Sequence, residues 1–257
     1  LKSVDLSGIV TSNVVDMKHM FSICSLMETI NLSNLKTEKV TDMSYMFNKC
    51  LSLEKIEFPS SFTTKNVNNM EFMFHMCWKF TKIDFPQSFT TNKVTDMSVM
   101  FGKCYNLESL NLKNFDTKNV ENMKYMFDQC HSLKEILIDP QKFITNKVVN
   151  MGHMFNDCRS LEIIDLSHFN TNNVKYFTYM FKGCEKLKEL DLSKFSTKTN
   201  AYMAHMFDNC SDIETFDVSS FIIDNDDNVS NMFDNLTKVK KIKVNNKYYE
   251  KYRNTIS

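Results

Sequence analysis

Sulfur is the first chemistry this chain offers: 8 cysteines and 18 methionines among 257 residues. Thiolates with thioethers would suit a soft metal, a zinc site or thiol redox work. The spacing argues otherwise. Cys24, Cys50, Cys77, Cys104, Cys130, Cys158, Cys184 and Cys210 are separated by 26, 27, 27, 26, 28, 26 and 26 residues, so no C-x-x-C pair exists. Metal and redox motifs pair thiols a few residues apart. Here each cysteine follows a Met-Phe pair by three residues, from Met20-Phe21 to Met206-Phe207. A ninth pair, Met232-Phe233, has Leu236 where cysteine is due. Leucine in that slot marks it as apolar, and the cysteines are expected to be buried and reduced. Packing of helices ~8–10 Å apart would also hold their Cα atoms beyond the ~6.8 Å reach of a disulfide. Sixteen of the methionines fall in two columns where Phe177 and Val229 stand in elsewhere, which is packing and not ligation.

Carboxylates come next. Asp165, Asp191 and Asp217 recur at one place in successive units and would form an acidic ridge about 4.8 Å apart on neighbouring strands. Three readings compete: a solvated face, which is favoured, a site for a cation or basic partner, and a glycosidase pair. An acid/base pair needs two different environments to split its pKa values, and identical repeats supply identical ones. His19, His153 and His205 share a column with Tyr45, Phe72, Val99, Tyr125 and Tyr179 and never fall in adjacent units, so they do not meet on one metal. No Ser-His-Asp spacing, phosphate-cradling glycine loop or HExxH is present, and there are only 4 glycines. No metal, no cofactor and no enzymatic activity are expected.

The elements that position these residues are repeats. One unit reads Val-x-x-Met-x-x-Met-Phe-x-x-Cys-x-x-Leu-x-x-Ile-x-Leu. In the second unit the positions are Val40, Met43, Met46, Phe47, Cys50, Leu53, Ile56 and Phe58. Steps of three and four predict a short amphipathic helix, with Asp42 as N-cap and Asp16, Asn69, Asp96, Asn122 and Asn150 in the same place. Alternation around Ile56 predicts a half-buried strand. A ten-residue helix is below the ~12–15 residues at which isolated helices become marginal, so units must stack to bury their apolar faces. Extra residues and all 3 prolines, Pro59, Pro86 and Pro140, fall in the loop after the strand. Thr37, Thr64, Thr91, Thr117, Thr145, Thr171 and Thr197 form a polar column expected to satisfy buried turn groups.

The string FDTKNVENMKYMFDQCHSLKEI, Phe115 to Ile136, resembles the BspA-like leucine-rich repeats. It is especially similar to the branch in mycoplasma surface lipoproteins, with its F-[DN]-T-x-x-V-x-[ND]-M-x-x-M-F-x-x-C-x-x-L unit. The resemblance runs from the first strand to Leu236. It implies a right-handed, leucine-rich-repeat-like solenoid and a cell-surface or secreted protein that binds host or partner macromolecules.

The expected fold class is therefore α/β. A single solenoid of about nine 26-residue helix–strand repeats, with a parallel sheet on one face, is predicted over 1–257. Residues 1–12 would be an opening strand and loop, 13–236 the repeats, and 237–257 the last strand and a C-terminal cap. Leu1, Val4 and Leu6 match a strand without its helix, which suggests a trimmed or processed chain; no signal is visible. The expected function is a non-catalytic, macromolecule-binding scaffold of the adhesion or host-interaction type. The alternative is a structural spacer presenting a missing N-terminal region. Anchoring to a membrane would come only through a missing N-terminal anchor. Zero net charge gives no pull toward nucleic acid, and a monomer is expected. Partner-binding candidates break the polar pattern. Leu51, Trp78, Tyr105 and His131 follow four successive cysteines on one edge, and Leu137 and Ile163 face outward where other units mostly carry charge. Large rings near a rim are typical of binding hot spots.

Overall fold

The computed structural model describes residues 2–244. Their short strands are β1 (Thr29–Asn31), β2 (Lys55–Glu57), β3 (Ser109–Asn111), β4 (Glu135–Leu137), β5 (Glu189–Leu190), β6 (Thr215–Asp217) and β7 (Lys241–Lys243). All pairs are parallel and in register from one coil to the next, such as Ile30 with Ile56 and Leu110 with Ile136. A repeat solenoid is thus the architecture, with at most one short strand per coil. The sheet is not continuous: it divides into β1–β2, β3–β4 and β5–β6–β7. The interruptions lie at residues 82–84 and 163–165. They adjoin the coils that carry an extra residue and a proline after the strand. An inserted residue shifts the strand end, and proline has no N–H to give a ladder. The predicted opening strand at Val4–Leu6 is not formed; the Glu28 amide reaches only the Lys2 carbonyl, at 3.3 Å. The expected cap at the C-terminus, 245–257, lies outside the described residues.

The predicted helices need correction. Among the described residues there is no α-helix, and one 3-10 turn spans Asp227–Val229. The segments expected to be helical are chains of tight turns. In the coil of Cys50, the amides of Met46, Asn48 and Cys50 donate to the carbonyls of Met43, Tyr45 and Phe47, each three residues back. The alternate amides, of Met43, Tyr45, Phe47 and Lys49, donate instead to Asn69, Glu71, Met73 and His75 in the next coil, at 2.8–3.2 Å. A helix would send every amide to the carbonyl four residues back. Two residues per coil take a left-handed φ near +60°, as in Tyr45 (59°) and Lys49 (60°), up to Gly183 (71°). For a side-chain-bearing residue that costs roughly 1–2 kcal/mol. The left-handed twist turns the amide toward the neighbouring coil, and the bond gained there is worth about 0.5–1.5 kcal/mol. The same pattern recurs in every coil from Met17 to Asn209. Asp42 and its equivalents accordingly cap turns, not helices: the Ser44 amide donates to Asp42 Oδ1 at 2.8 Å.

Inside these turns the sequence repeat becomes columns of identical side chains. Phe21, Phe47, Phe74, Phe101, Phe127, Phe155, Phe181, Phe207 and Phe233 stack one on the next, with centroids 5.5–6.0 Å apart and planes within 14°. Such pairs contribute about 0.5–1.5 kcal/mol each beyond burial. The threonine column behaves as expected. Thr171 Oγ1 donates to the Ser196 carbonyl at 2.7 Å and accepts from the Ser196 amide at 2.8 Å. Thr11 begins the column, accepting from the Lys36 amide.

Candidate functional site

The cysteines line the dry interior beside the phenylalanine stack. All eight are free, and seven are buried, Cys24 being half-buried. Each buried thiol donates to the carbonyl of the phenylalanine in the preceding coil, from Cys50 to Phe21 (3.1 Å) through Cys210 to Phe181 (3.0 Å). Burial pushes the thiols of Cys50, Cys104 and Cys210 up to about 12, and raises the other four well above the ordinary thiol value. They are therefore protonated and poor nucleophiles or ligands. The spacing argument against disulfides does not survive, because ladder-bonded coils sit about 4.8 Å apart and not at helix spacing. The bond to a carbonyl is what aims each sulfur.

The acidic ridge is built from turns. The carboxylates of Asp165, Asp191 and Asp217 accept the amides of Ser167, Ser193 and Ser219 at 2.8–2.9 Å. Hydrogen bonds from these serines hold the carboxyls of Asp165 and Asp191 below the usual range. Lys243, 2.8 Å away, and then Ser219 lower Asp217 to about 2. Among the described residues no three His, Cys, Asp or Glu side chains converge for a metal. The histidine column is a second stack of rings: His153, Tyr179 and His205 lie 4.6 and 4.7 Å apart. Burial first, then nearby lysines, lowers His75 and His153 to about 4.

The rim aromatics come together. Trp78 stacks on Tyr105 (5.7 Å) and Tyr105 on His131 (4.9 Å, planes 13° apart). All three are half-buried, as is Leu51 one coil earlier. The indole Nε1 of Trp78 is buried and has no hydrogen-bond partner among the described residues. Burial lowers His131, helped by the Arg159 charge in the next coil. Leu137 and Ile163 lie apart from these rings, on the sheet face, 37% and 73% exposed.

Two features escaped the sequence reading. Tyr176 and Tyr202 occupy the place held by Asp or Asn in earlier coils; their rings stack at 5.3 Å with Lys175 over both, and they are 37% and 41% exposed. The break in the Asp/Asn column was the available signal. A polar column also runs beside the phenylalanines. Asp128 accepts from Asn156 at 2.8 Å, and Asp208 accepts from Lys182 at 2.8 Å and Asn235 at 2.9 Å. Burial raises Asp128 to about 6. Burial opposes ionisation of Asp208 too, but Lys182, Asn235 and His205 outweigh it and hold the carboxyl low. The position after each phenylalanine varies too freely in sequence to be recognised as interior.

Comparison with known proteins finds a family model, described as a Mycoplasma protein of unknown function, DUF285, matching residues 2–85, 59–159 and 135–247. No curated protein matches the chain. Among solved structures it is similar to a leucine-rich repeat protein of T. pallidum, at 20% identity over 73% of this chain and 78% of that one (TM-score 0.45). It is also similar to a leucine rich cell surface protein of Faecalibacterium prausnitzii, at 17% identity over 100% and 76% (TM-score 0.36).

Proposed function

Since the chain belongs to the DUF285 family of Mycoplasma proteins, we propose that it is a non-catalytic scaffold that binds a protein or other macromolecule at a cell surface or after secretion. The location and the adhesion or host-interaction role rest on the likeness of its repeats to those of mycoplasma surface lipoproteins. One observation carries the binding reading: the half-buried stack of Trp78, Tyr105 and His131, with its unpartnered indole N–H, on a rim that is polar or charged in later coils. Rigid rings at a rim supply contact area with little entropy to lose. Leu51 extends the same edge, and Leu137 and Ile163 offer a second apolar contact.

The test is capture of partners from a host-surface extract by the whole chain, identified by mass spectrometry, beside Trp78→Ala and Tyr105→Ala. Because Trp78 is half-buried, circular dichroism must first show the variants folded. A partner held by the wild type and released by these variants supports the reading. Equal capture by folded variants rejects the site, and a wild type that captures nothing favours a spacer.

A further inference from the structure

We propose that the sheet face around Leu137 and Ile163 docks a basic polypeptide segment carrying large apolar side chains. The inference rests on the scaffold reading and names the chemistry of one partner. Ile163 stands between Glu135 and Glu189 at the same place in successive coils, and Leu137 is followed in its own column by Asp165 and Asp191. Two apolar side chains thus project from a field of four carboxylates. None of the four has a lysine or arginine within ion-pair distance among the described residues. That is unusual for this face. In the column beside them, Glu108 pairs with Lys134 (2.9 Å), Glu162 with Lys188 (3.7 Å) and Glu214 with Lys240 (2.6 Å). Neighbouring coils alternate charge there and neutralise one another. In the columns of Ile163 and Leu137, Lys55 pairs with Glu57, Lys82 with Asp84 and Lys243 with Asp217, but around the two apolar residues the four carboxylates stay without an ion-pair partner among the described residues.

The backbone supports the same assignment. Residues 163–165 interrupt the sheet and, among the described residues, make no backbone ladder bond to either neighbour. Beside them is a shallow depression of about 530 Å³ whose walls include Glu135, Ile163 and Asp165. An apolar side chain of a partner can settle against Ile163 there, with its flanking cations against Glu135 and Glu189. Negative charge on this face repels nucleic-acid and lipid phosphates. A bare divalent cation is a poor occupant, since Asp165 and Asp191 already accept turn amides. A peptide that is both cationic and apolar satisfies both halves of the surface.

The probe is a short synthetic peptide alternating leucine and lysine, titrated calorimetrically into the whole chain, with oligolysine and a leucine–glutamate peptide as controls. The leucine–lysine peptide should bind saturably and the glutamate peptide should not. Ile163→Ser with Leu137→Ser should weaken binding by at least about tenfold. Glu135→Gln with Glu189→Gln should weaken it several-fold and remove most of its salt dependence. These side chains are exposed, so the variants should keep the wild-type circular dichroism. No saturable binding, equal binding by oligolysine, or unchanged affinity in the serine variant would overturn the inference. If a native partner is still captured through Trp78 under any of those outcomes, the scaffold reading stands alone; if nothing is captured either, both fall.

Discussion

Along the turn wall each coil, from Met17 to Asn209, sends four amides to four carbonyls of the next without a gap. Along the sheet wall of the same coils the ladder stops twice, at residues 82–84 and 163–165. The difference follows from what lies behind each wall. Behind the turns, every coil places a phenylalanine in the same buried slot, with methionine and cysteine, or close apolar stand-ins, beside it. Equal volumes keep successive backbones at one spacing. Behind the strands the slots change. Leu32 and Leu112 are matched by Phe58 and Phe85 with a proline after each, and by Ile138 before its own longer loop. Uniform packing buys an unbroken ladder, and variation releases the backbone and leaves surface for binding.

The largest losses of stability are expected in the turn wall. Phe101→Ala removes a ring from the middle of the stack and should cost about 3–5 kcal/mol in denaturant unfolding. A loss below about 1 kcal/mol would mean the stack is not the common support. Thr171→Val strands a part-buried amide and carbonyl of Ser196, and should cost about 1–2 kcal/mol by the same measurement.

Acid probes the interior as well. His75 and His153 titrate near 4 in the folded chain, against 6.5 for the free group. Their folded pKa is depressed, so the unfolded chain takes up protons first. The stability they confer is present above about pH 6.5 and drains as pH falls toward 4. Asp128 works in reverse: its pKa is raised from 3.8 to about 6, so its contribution is present below 3.8 and lost as pH rises through 6. His153→Gln should flatten the acid limb of the stability curve, and Asp128→Asn should steepen it. Superimposable curves for wild type and His153→Gln would refute the assignment.

A smaller effect differs in sign between a helix and a chain of turns. Lys49 is exposed and left-handed. In a helix, Lys49→Gly would cost about 1 kcal/mol. In the turn wall it should be neutral or stabilising by up to about 1 kcal/mol, since glycine relieves the left-handed penalty. Smallest of all, Ile163→Ser on the sheet wall should shift stability by no more than about 0.5 kcal/mol; a larger loss would mean that its side chain supports the fold.

Much of this was legible in the residues. The Met-Phe and cysteine columns announced the period and the interior, and Leu236 in the ninth slot showed that sulfur was filler. The threonine column was readable because a hydroxyl repeating among apolar neighbours must answer buried backbone groups. Of the candidate site, the rim aromatics could be placed in one column, but their stacking could not be known without the coil spacing. The Tyr176–Tyr202 pair is hard to see in the sequence because the same column holds turn-capping Asp and Asn in the earlier coils. Asp128 and Asp208 were invisible because a position that varies among Ser, Asn, His, Gly, Asp and Lys looks like surface.

By itself, then, the sequence determined which side chains share a layer and which face inward, because those depend only on periodicity and polarity. The tertiary structure alone decided the backbone that carries them. Apolar residues at steps of three and four suit a helix and a chain of turns equally well. A helix satisfies its amides within itself, whereas these turns satisfy half of theirs about 26 residues away, on a coil that must already be in place.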